Sequence, residues 1–139
     1  MSDTHLTGRC LCGRVEVSVV RAAAIPAVCH CTHCQKQTAS AFSPVLIVPI
    51  GDITITGELK SYEDTNDAGD RVTRMFCPNC GSPVRTVSAK GTAAGVHYIK
   101  AGLLDGGAPR PNVEVFRRSR CDWLPDLRSE RQFDAVPAG

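Results

Sequence analysis

The sequence predicts a mostly β domain of short antiparallel strands with one short helix. Two observations lead to this fold class: short runs of alternating apolar and polar residues recur along the chain, and seven of its eight cysteines fall into three tight clusters. The chain has 139 residues and no internal repeat, which suits one domain over residues 1–139. Since only 5% of the residues are aromatic, we expect a core of Val, Ile, Leu and Ala that is supplemented by bound metal.

Seven runs have the pattern of strands, because apolar and polar residues alternate in them or branched residues are concentrated there. They are residues 14–19, 42–48, 52–57, 71–76, 83–87, 96–100 and 113–116. The runs at 71–76 and 83–87 flank a cysteine pair, which predicts a strand, a metal-binding turn and a second strand in one hairpin-like unit.

One short helix is expected over residues 32–39, with Thr32 as its N-cap. A helix that begins there would place its first N–H groups near the second cysteine cluster, where they favour thiolate charge. The polar stretches 64–70 and 102–111 predict loops, and residues 134–139 are expected to form a frayed tail.

The cysteine clusters have the spacing of zinc sites, in which cysteines two or three residues apart bind one ion. Cys12 and Cys80 are each followed by glycine, which lets the backbone adopt positive φ and turn an N–H toward a sulfur. Because the two turns are alike, we assign Cys10, Cys12, Cys77 and Cys80 to one closed structural zinc. This zinc would close a long loop and contribute directly to folding.

A second zinc is expected at Cys29, Cys31 and Cys34, so that each chain holds two zinc ions. Its fourth ligand is open at this point: water or a substrate thiolate would make the site functional, whereas Cys121, His30, His33 or a carboxylate would make it structural. Three thiolates make zinc a weak Lewis acid that suits a sulfur ligand better than hydroxide. This indicates thiol substrates.

The net charge and the N-terminal sequence indicate which partners and which cellular compartment to expect. The net charge is +2, and seven thiolates on two zinc ions would bring it to about −1, which gives no general basic field for nucleic acid. The longest mostly apolar run, residues 42–50, contains two prolines and is too short to cross a membrane. The first residues have no signal-peptide pattern, so we expect a cytoplasmic, reducing location, where clustered cysteines bind metal rather than form disulfides.

Five segments together resemble the glutathione-dependent formaldehyde-activating enzymes, a family that includes centromere protein V. The segments are GRCLCGRV at 8–15, CHCTHCQK at 29–36 with TASAF at 38–42, RMFCPNCGSP at 74–83, AGLLD at 101–105, and Trp123. The resemblance covers about residues 8–124. It implies a complex β fold around zinc, a structural zinc at the first and third cysteine motifs and an active zinc at the second. Ala39 and Glu114 depart from it, since members often carry Gly and His there.

The resemblance also implies an activity, carbon–sulfur lyase chemistry in which glutathione adds to formaldehyde, giving S-hydroxymethylglutathione, and the reverse. The thiol would bind as thiolate at the open position beside Cys29, Cys31 and Cys34, and His30 would donate a proton to the alkoxide. We expect Lys36, Arg117 and Arg118 to hold the carboxylates of glutathione. The predicted partners are a small thiol and a small aldehyde, without nucleic acid or membrane; a homodimer is an open option.

Two other functions compete with the enzyme. A non-enzymatic zinc module for interaction with partners would fill all four positions of the second zinc with protein ligands. A thiol redox protein could use Cys31 and Cys34 as a CxxC pair, but the additional Cys29 and the lack of a βαβ pattern argue against it.

Overall fold

The computed structural model describes residues 4–136 and confirms the mostly β class. The eleven strands within these residues are β1 (His5–Arg9), β2 (Glu16–Val20), β3 (Ile25–Cys29), β4 (Ser43–Pro49), β5 (Ile53–Thr56), β6 (Lys60–Thr65), β7 (Arg71–Phe76), β8 (Pro83–Ser88), β9 (Val96–Lys100), β10 (Val113–Val115) and β11 (Arg131–Gln132). Each of the seven predicted runs overlaps a strand. The patterns did not predict β1, β3, β6 and β11, which are polar, interrupted by proline or very short.

The described part of the chain has two α-helices, α1 (Thr32–Thr38) and α2 (Ala89–Ala93). The first agrees with the predicted helix, although its N-cap residue is Cys31 rather than Thr32, and Ala39 ends it in a left-handed conformation with φ 54° and ψ 45°. The second was not predicted. The Ser88 hydroxyl accepts a hydrogen bond from Gly91 N at 2.9 Å and begins this short helix. No helix within residues 4–136 combines the length and apolar character needed to cross a membrane.

The strands form two sheets. The small sheet has the order β1-β2-β5, and the large sheet has the order β11-β10-β3-β4-β9-β8-β7-β6. Most pairs are antiparallel, as predicted, but β10 runs parallel to both β3 and β11. Because β4 is antiparallel to both β3 and β9, the strands β3 and β9 run in the same direction. The connection after β9 crosses to the far side of β3, so that β10 again runs in that direction.

The main core contains buried aliphatic residues from both sheets. Val17 and Val19 come from β2 of the small sheet, whereas Leu46, Val84 and Ile99 come from the large sheet. Cys10 and Cys77 belong to the same core cluster and directly follow β1 and β7. A metal bound to these cysteines would therefore join the two sheets.

Two candidate metal centres

The first cysteine group has the geometry of a tetrahedral metal site. The Sγ atoms of Cys10, Cys12, Cys77 and Cys80 all lie within 4.8 Å of one another. The Cys10–Cys12 separation is 3.6 Å and the Cys12–Cys77 separation is 3.7 Å. Zinc–sulfur bonds of 2.3 Å at tetrahedral angles place sulfurs about 3.8 Å apart, and these two separations match that value.

The turns around this group supply donors to the sulfurs. Gly13 and Gly81 both have positive φ, 82° and 78°, as the glycine positions suggested. The N–H groups that reach sulfur belong to neighbouring residues: Val15 N donates to Cys10 Sγ at 3.3 Å and Cys80 N to Cys77 Sγ at 3.5 Å. Such donors stabilise thiolates, the form of cysteine that binds metal.

The second cysteine group lies at the junction of β3 and α1. Cys29 ends β3, Cys31 is the N-cap of α1, and Cys34 lies in its first turn. Their Sγ atoms lie within 4.8 Å of one another, and the residues are only 9%, 0% and 9% exposed. Within residues 4–136, no fourth His, Cys, Asp or Glu side chain joins them. The donor set is therefore three thiols, which fits a zinc ion with one open position.

The side chains that could have supplied a fourth protein ligand have other partners. His30 Nε2 lies 2.8 Å from Glu114 Oε1, and His33 Nδ1 lies 2.9 Å from both oxygens of Asp64. Cys121 Sγ lies 3.9 Å from Gln35 Oε1 and from a backbone carbonyl. These three residues therefore stand outside the group.

Two buried cations lie beside the second group, and the sequence did not indicate either. Arg74 is 2% exposed and donates from Nη1 to Cys34 Sγ at 3.7 Å, while its Nε donates to Asp64 Oδ2 at 2.8 Å. Lys100 is 5% exposed and donates from Nζ to the hydroxyls of Ser43 and Thr38. Hydrogen bonds within the cysteine group lower the pKa of Cys34, and the charges of Lys100 and Arg74 lower it further.

The start of α1 is capped from a distant loop. Asp67 accepts hydrogen bonds from Thr32 N and from Thr32 Oγ1, both at 2.8 Å. The predicted capping role of Thr32 thus belongs to Asp67, in the turn between β6 and β7, because a carboxylate there reaches the helix terminus. This contact fixes the first turn of α1, which carries Cys34.

His30 forms a fully buried ion-pair geometry with Glu114, both residues being 0% exposed. Burial lowers the pKa of His30, although Glu114 opposes this effect. Within the described part of the chain, His30 Nδ1 has no hydrogen-bond partner, and the ring lies 5.9 Å from that of Phe42. Glu114 therefore fixes the ring through Nε2, and the proton-donor role of His30 stays a prediction.

The predicted carboxylate-binding residues lie in different surroundings. Lys36 is exposed on α1. Arg117 is half-buried and donates to Gln132 Oε1 at 3.0 Å, whereas Arg118 is exposed and donates to the backbone carbonyl of Asp67 at 3.2 Å. Arg118 is thus held at the loop that caps α1, and the roles of all three residues stay predictions.

The end of the described chain contacts the second group. Phe116 N donates to the carbonyl of Ala135 at 2.8 Å, and Ala135 and Val136 pack against the cluster formed by Phe116 and the three cysteines. The predicted frayed tail is therefore wrong for residues 134–136, because backbone hydrogen bonds and apolar contacts hold them. Residues 137–139 lie outside the described part.

The sequence carries a weak signal for the two buried cations beside the second cysteine group. Arg74 lies between Val72 and the partly buried Phe76 in the alternation of β7, so its side chain falls on the inward face. Lys100 directly follows the buried Ile99 at the end of β9. A cation on the inward side of a strand needs a buried anion, and here the cysteine group lies beside both cations.

Comparisons with known proteins show the family of this chain and support its fold. A family model described as glutathione-dependent formaldehyde-activating enzyme matches residues 5–119, which confirms the resemblance seen in the motifs. The crystal structure of a Rhodobacter sphaeroides protein, solved as a structural genomics target, is similar over 76% of this chain and 93% of that chain, with 21% identity and a TM-score of 0.56. At this identity the likeness supports the fold alone. No match was found among curated proteins.

Proposed function

Because the chain belongs to the glutathione-dependent formaldehyde-activating enzyme family, we propose that it adds a thiol such as glutathione to a small aldehyde and catalyses the reverse reaction. The observation that carries the proposal is the second cysteine group, in which three buried thiols converge without a fourth protein ligand in residues 4–136. A zinc ion held by these three thiols would keep one coordination position for the sulfur of a substrate. The proposed enzyme is a carbon–sulfur lyase that uses two zinc ions per chain.

The second group would prepare the thiol. Cys29, Cys31 and Cys34 would hold the zinc ion, which when bound supplies an open position and lowers the pKa of a thiol placed there. Arg74 orients Cys34 through the Nη1–Sγ contact, and its own position is fixed by Asp64. Phe116 and the apolar residues packed on it limit the access of water to the sulfurs.

The bond changes are those of thiol addition to a carbonyl. The thiolate sulfur donates an electron pair to the aldehyde carbon, the carbon–sulfur bond forms, and the carbonyl π electrons move to the oxygen. A proton must then reach this alkoxide, and we assign that transfer to His30, whose Nδ1 lacks a partner in the described part of the chain. Glu114 would hold the ring through Nε2 and support its protonated form. The reverse reaction returns the proton and releases the aldehyde.

The rest of glutathione would be held by the basic residues near α1. Arg118 lies at the Asp67 loop beside the start of α1, and Lys36 is exposed on the helix itself. Arg117 Nε lies 3.9 Å from Glu114 Oε1, the carboxylate that contacts His30. Their guanidinium and ammonium groups match the two carboxylates of glutathione. The non-enzymatic zinc module is less well supported, because it would require a fourth protein ligand at the second group.

Exchange NMR between free glutathione and its formaldehyde adduct tests the proposal. The two species interconvert without catalyst, so the rate with protein is compared with the rate in buffer at the same pH. We expect faster exchange with the wild type and none of this acceleration with Cys34→Ser. Cys121→Ser is the matched control, because Cys121 lies outside both cysteine groups. No acceleration by the wild type, or equal acceleration by Cys34→Ser, would refute the proposed function.

A further inference from the structure

Lys100 is a buried cation that has no carboxylate partner in the described part of the chain. It is 5% exposed, and no salt bridge within residues 4–136 includes it. Its Nζ donates to Ser43 Oγ at 2.7 Å and to Thr38 Oγ1 at 3.4 Å, which accounts for two of the three N–H groups. An ammonium removed from water to this extent requires a nearby negative charge or loses its proton.

Both hydroxyls that hold Lys100 belong to elements that carry cysteines of the second group. Ser43 is the ladder partner of Cys29 in the β3–β4 pair. Thr38 follows Cys34 by four residues on α1, so the two side chains share one face of the helix. The Lys100 ammonium is therefore held by one hydroxyl next to Cys29 and one hydroxyl next to Cys34.

Arg74 provides an internal comparison, since it lies beside the same group with a partner of its own. Its Nε donates to Asp64 at 2.8 Å, so a carboxylate balances its charge. For Lys100 the negative charge that acts on it comes from the cysteines: burial lowers the pKa of Lys100, and Cys34 and Cys29 oppose that effect. Arg74 lowers the pKa of Lys100 as well, and within residues 4–136 no carboxylate pairs with the Lys100 ammonium.

We propose that Lys100 is the specificity-determining residue of the second cysteine group, and that its ammonium selects an anionic sulfur ligand, a thiolate, over neutral water. This inference rests on the proposed function, because it concerns the open position of the same site. With metal bound, the three-thiolate group carries a charge of about −1, and a second anion would be repelled without compensation. Lys100 supplies the compensating charge, while Arg74 is already matched by Asp64.

The test uses cadmium-loaded protein and 113Cd NMR, titrated with 2-mercaptoethanol. This thiol has no carboxylate, so contacts to the carboxylates of glutathione do not contribute. The resonance of the four-cysteine site serves as an internal reference, and the resonance of the second site should move as the thiol adds a fourth sulfur. Loss of a buried charge partner has large effects on binding, so Lys100→Met should require at least about tenfold more thiol.

Two variants separate charge from structure. Lys100→Arg keeps the cation and should titrate within about threefold of the wild type. Lys60→Met removes an exposed lysine on β6 and should titrate as the wild type does. If Lys100→Met fails to load cadmium, Lys100→Gln replaces it with the same expected result, since an amide can still hydrogen-bond to Ser43. Equal thiol titration of the wild type and the neutral variant would overturn the proposal, even if the variant were less stable.

The inference and the proposed function can fail separately. Acceleration of glutathione exchange by the wild type together with a thiol titration independent of Lys100 would remove the inference and leave the function. A titration that depends on Lys100, in a protein that does not accelerate exchange, would keep the thiolate site and remove the formaldehyde reaction.

Discussion

Gly8→Ala should destabilise the protein strongly, because β1 passes very close to the segment after β9. A Cβ at Gly8 would lie 2.1 Å from the carbonyl oxygen of Leu103 and 2.7 Å from Leu104 Cα. Both contacts are with backbone, so no side chain can rotate away. Relief requires a shift of about 1 Å, which would weaken the bridge between Gly8 and Leu104 and the hydrogen bond from Asp105 N to Thr7 O.

The expected cost follows from these contacts. Overpacking costs about 1–3 kcal/mol, and the upper end applies because both contacting atoms are backbone. One weakened hydrogen bond lowers the free energy of unfolding by about another 1 kcal/mol. The smaller conformational entropy of the unfolded alanine variant raises it by about 0.4–1 kcal/mol. We therefore expect a loss of about 3 kcal/mol. Because Cys10 follows two residues later, the variant should also release metal from the first group more readily.

Guanidinium unfolding at fixed free zinc, followed by circular dichroism, measures this loss. The matched control is Gly102→Ala, since a Cβ there meets nothing within 4 Å. Gly102 lies in the 3-10 helix Ala101–Leu103, beside the backbone that Gly8 approaches. The control should stay within about 0.5 kcal/mol of the wild type. Equal unfolding free energies for the two variants would show that β1 and the segment after β9 are not packed as closely as described.

Three further predictions concern metal, backbone strain and pH. Cys34→Ser should leave a folded protein with one zinc, whereas Cys77→Ser should give poorly soluble protein, because Cys77 belongs to the core between the two sheets; zinc content and solubility check this. Ala39→Gly should raise the unfolding free energy by about 0.5–1 kcal/mol, because φ of 54° strains alanine and not glycine. Burial and the Arg85 charge hold the pKa of His97 below its usual 6.5, so protonation favours the unfolded state. Stability should therefore fall as pH drops from about 7 through 6.5 and below, and less steeply in His97→Asn.

Each of these predictions has its own control and contrary result. Equal destabilisation by the two cysteine variants would contradict the division into a structural and a functional group. Ala93→Gly, in the helical α2, should lower stability by about 1 kcal/mol, and a loss at Ala39→Gly as well would exclude the proposed strain. For His97, parallel pH profiles of the wild type and the variant would show that this histidine does not titrate differently in the folded state.

Sequence patterns were sufficient where the structure depends on local geometry. The cysteine spacing and the glycines after Cys12 and Cys80 predicted turns that the backbone forms at positive φ. Period-two alternation located β7 and β9 at their observed bounds, since the side chains of a strand alternate wherever it lies in a sheet. The family resemblance was also confirmed, because it rests on short motifs that can be read directly from the sequence.

The sequence by itself thus determined the mostly β class, the cysteine clusters, the start of α1 and the family. Only the tertiary structure decided what surrounds the second cysteine group: Arg74 is 40 residues from Cys34, Lys100 is 57 residues from Ser43, and Asp67 caps a helix 35 residues away. It also decided the parallel direction of β10 and the contact of residues 135–136 with that group. The physical reason is that a buried charge is stable only beside partners that balance it. The fold brings those partners together from distant segments, and the hydrophobic pattern of one segment carries no information about its contacts with another.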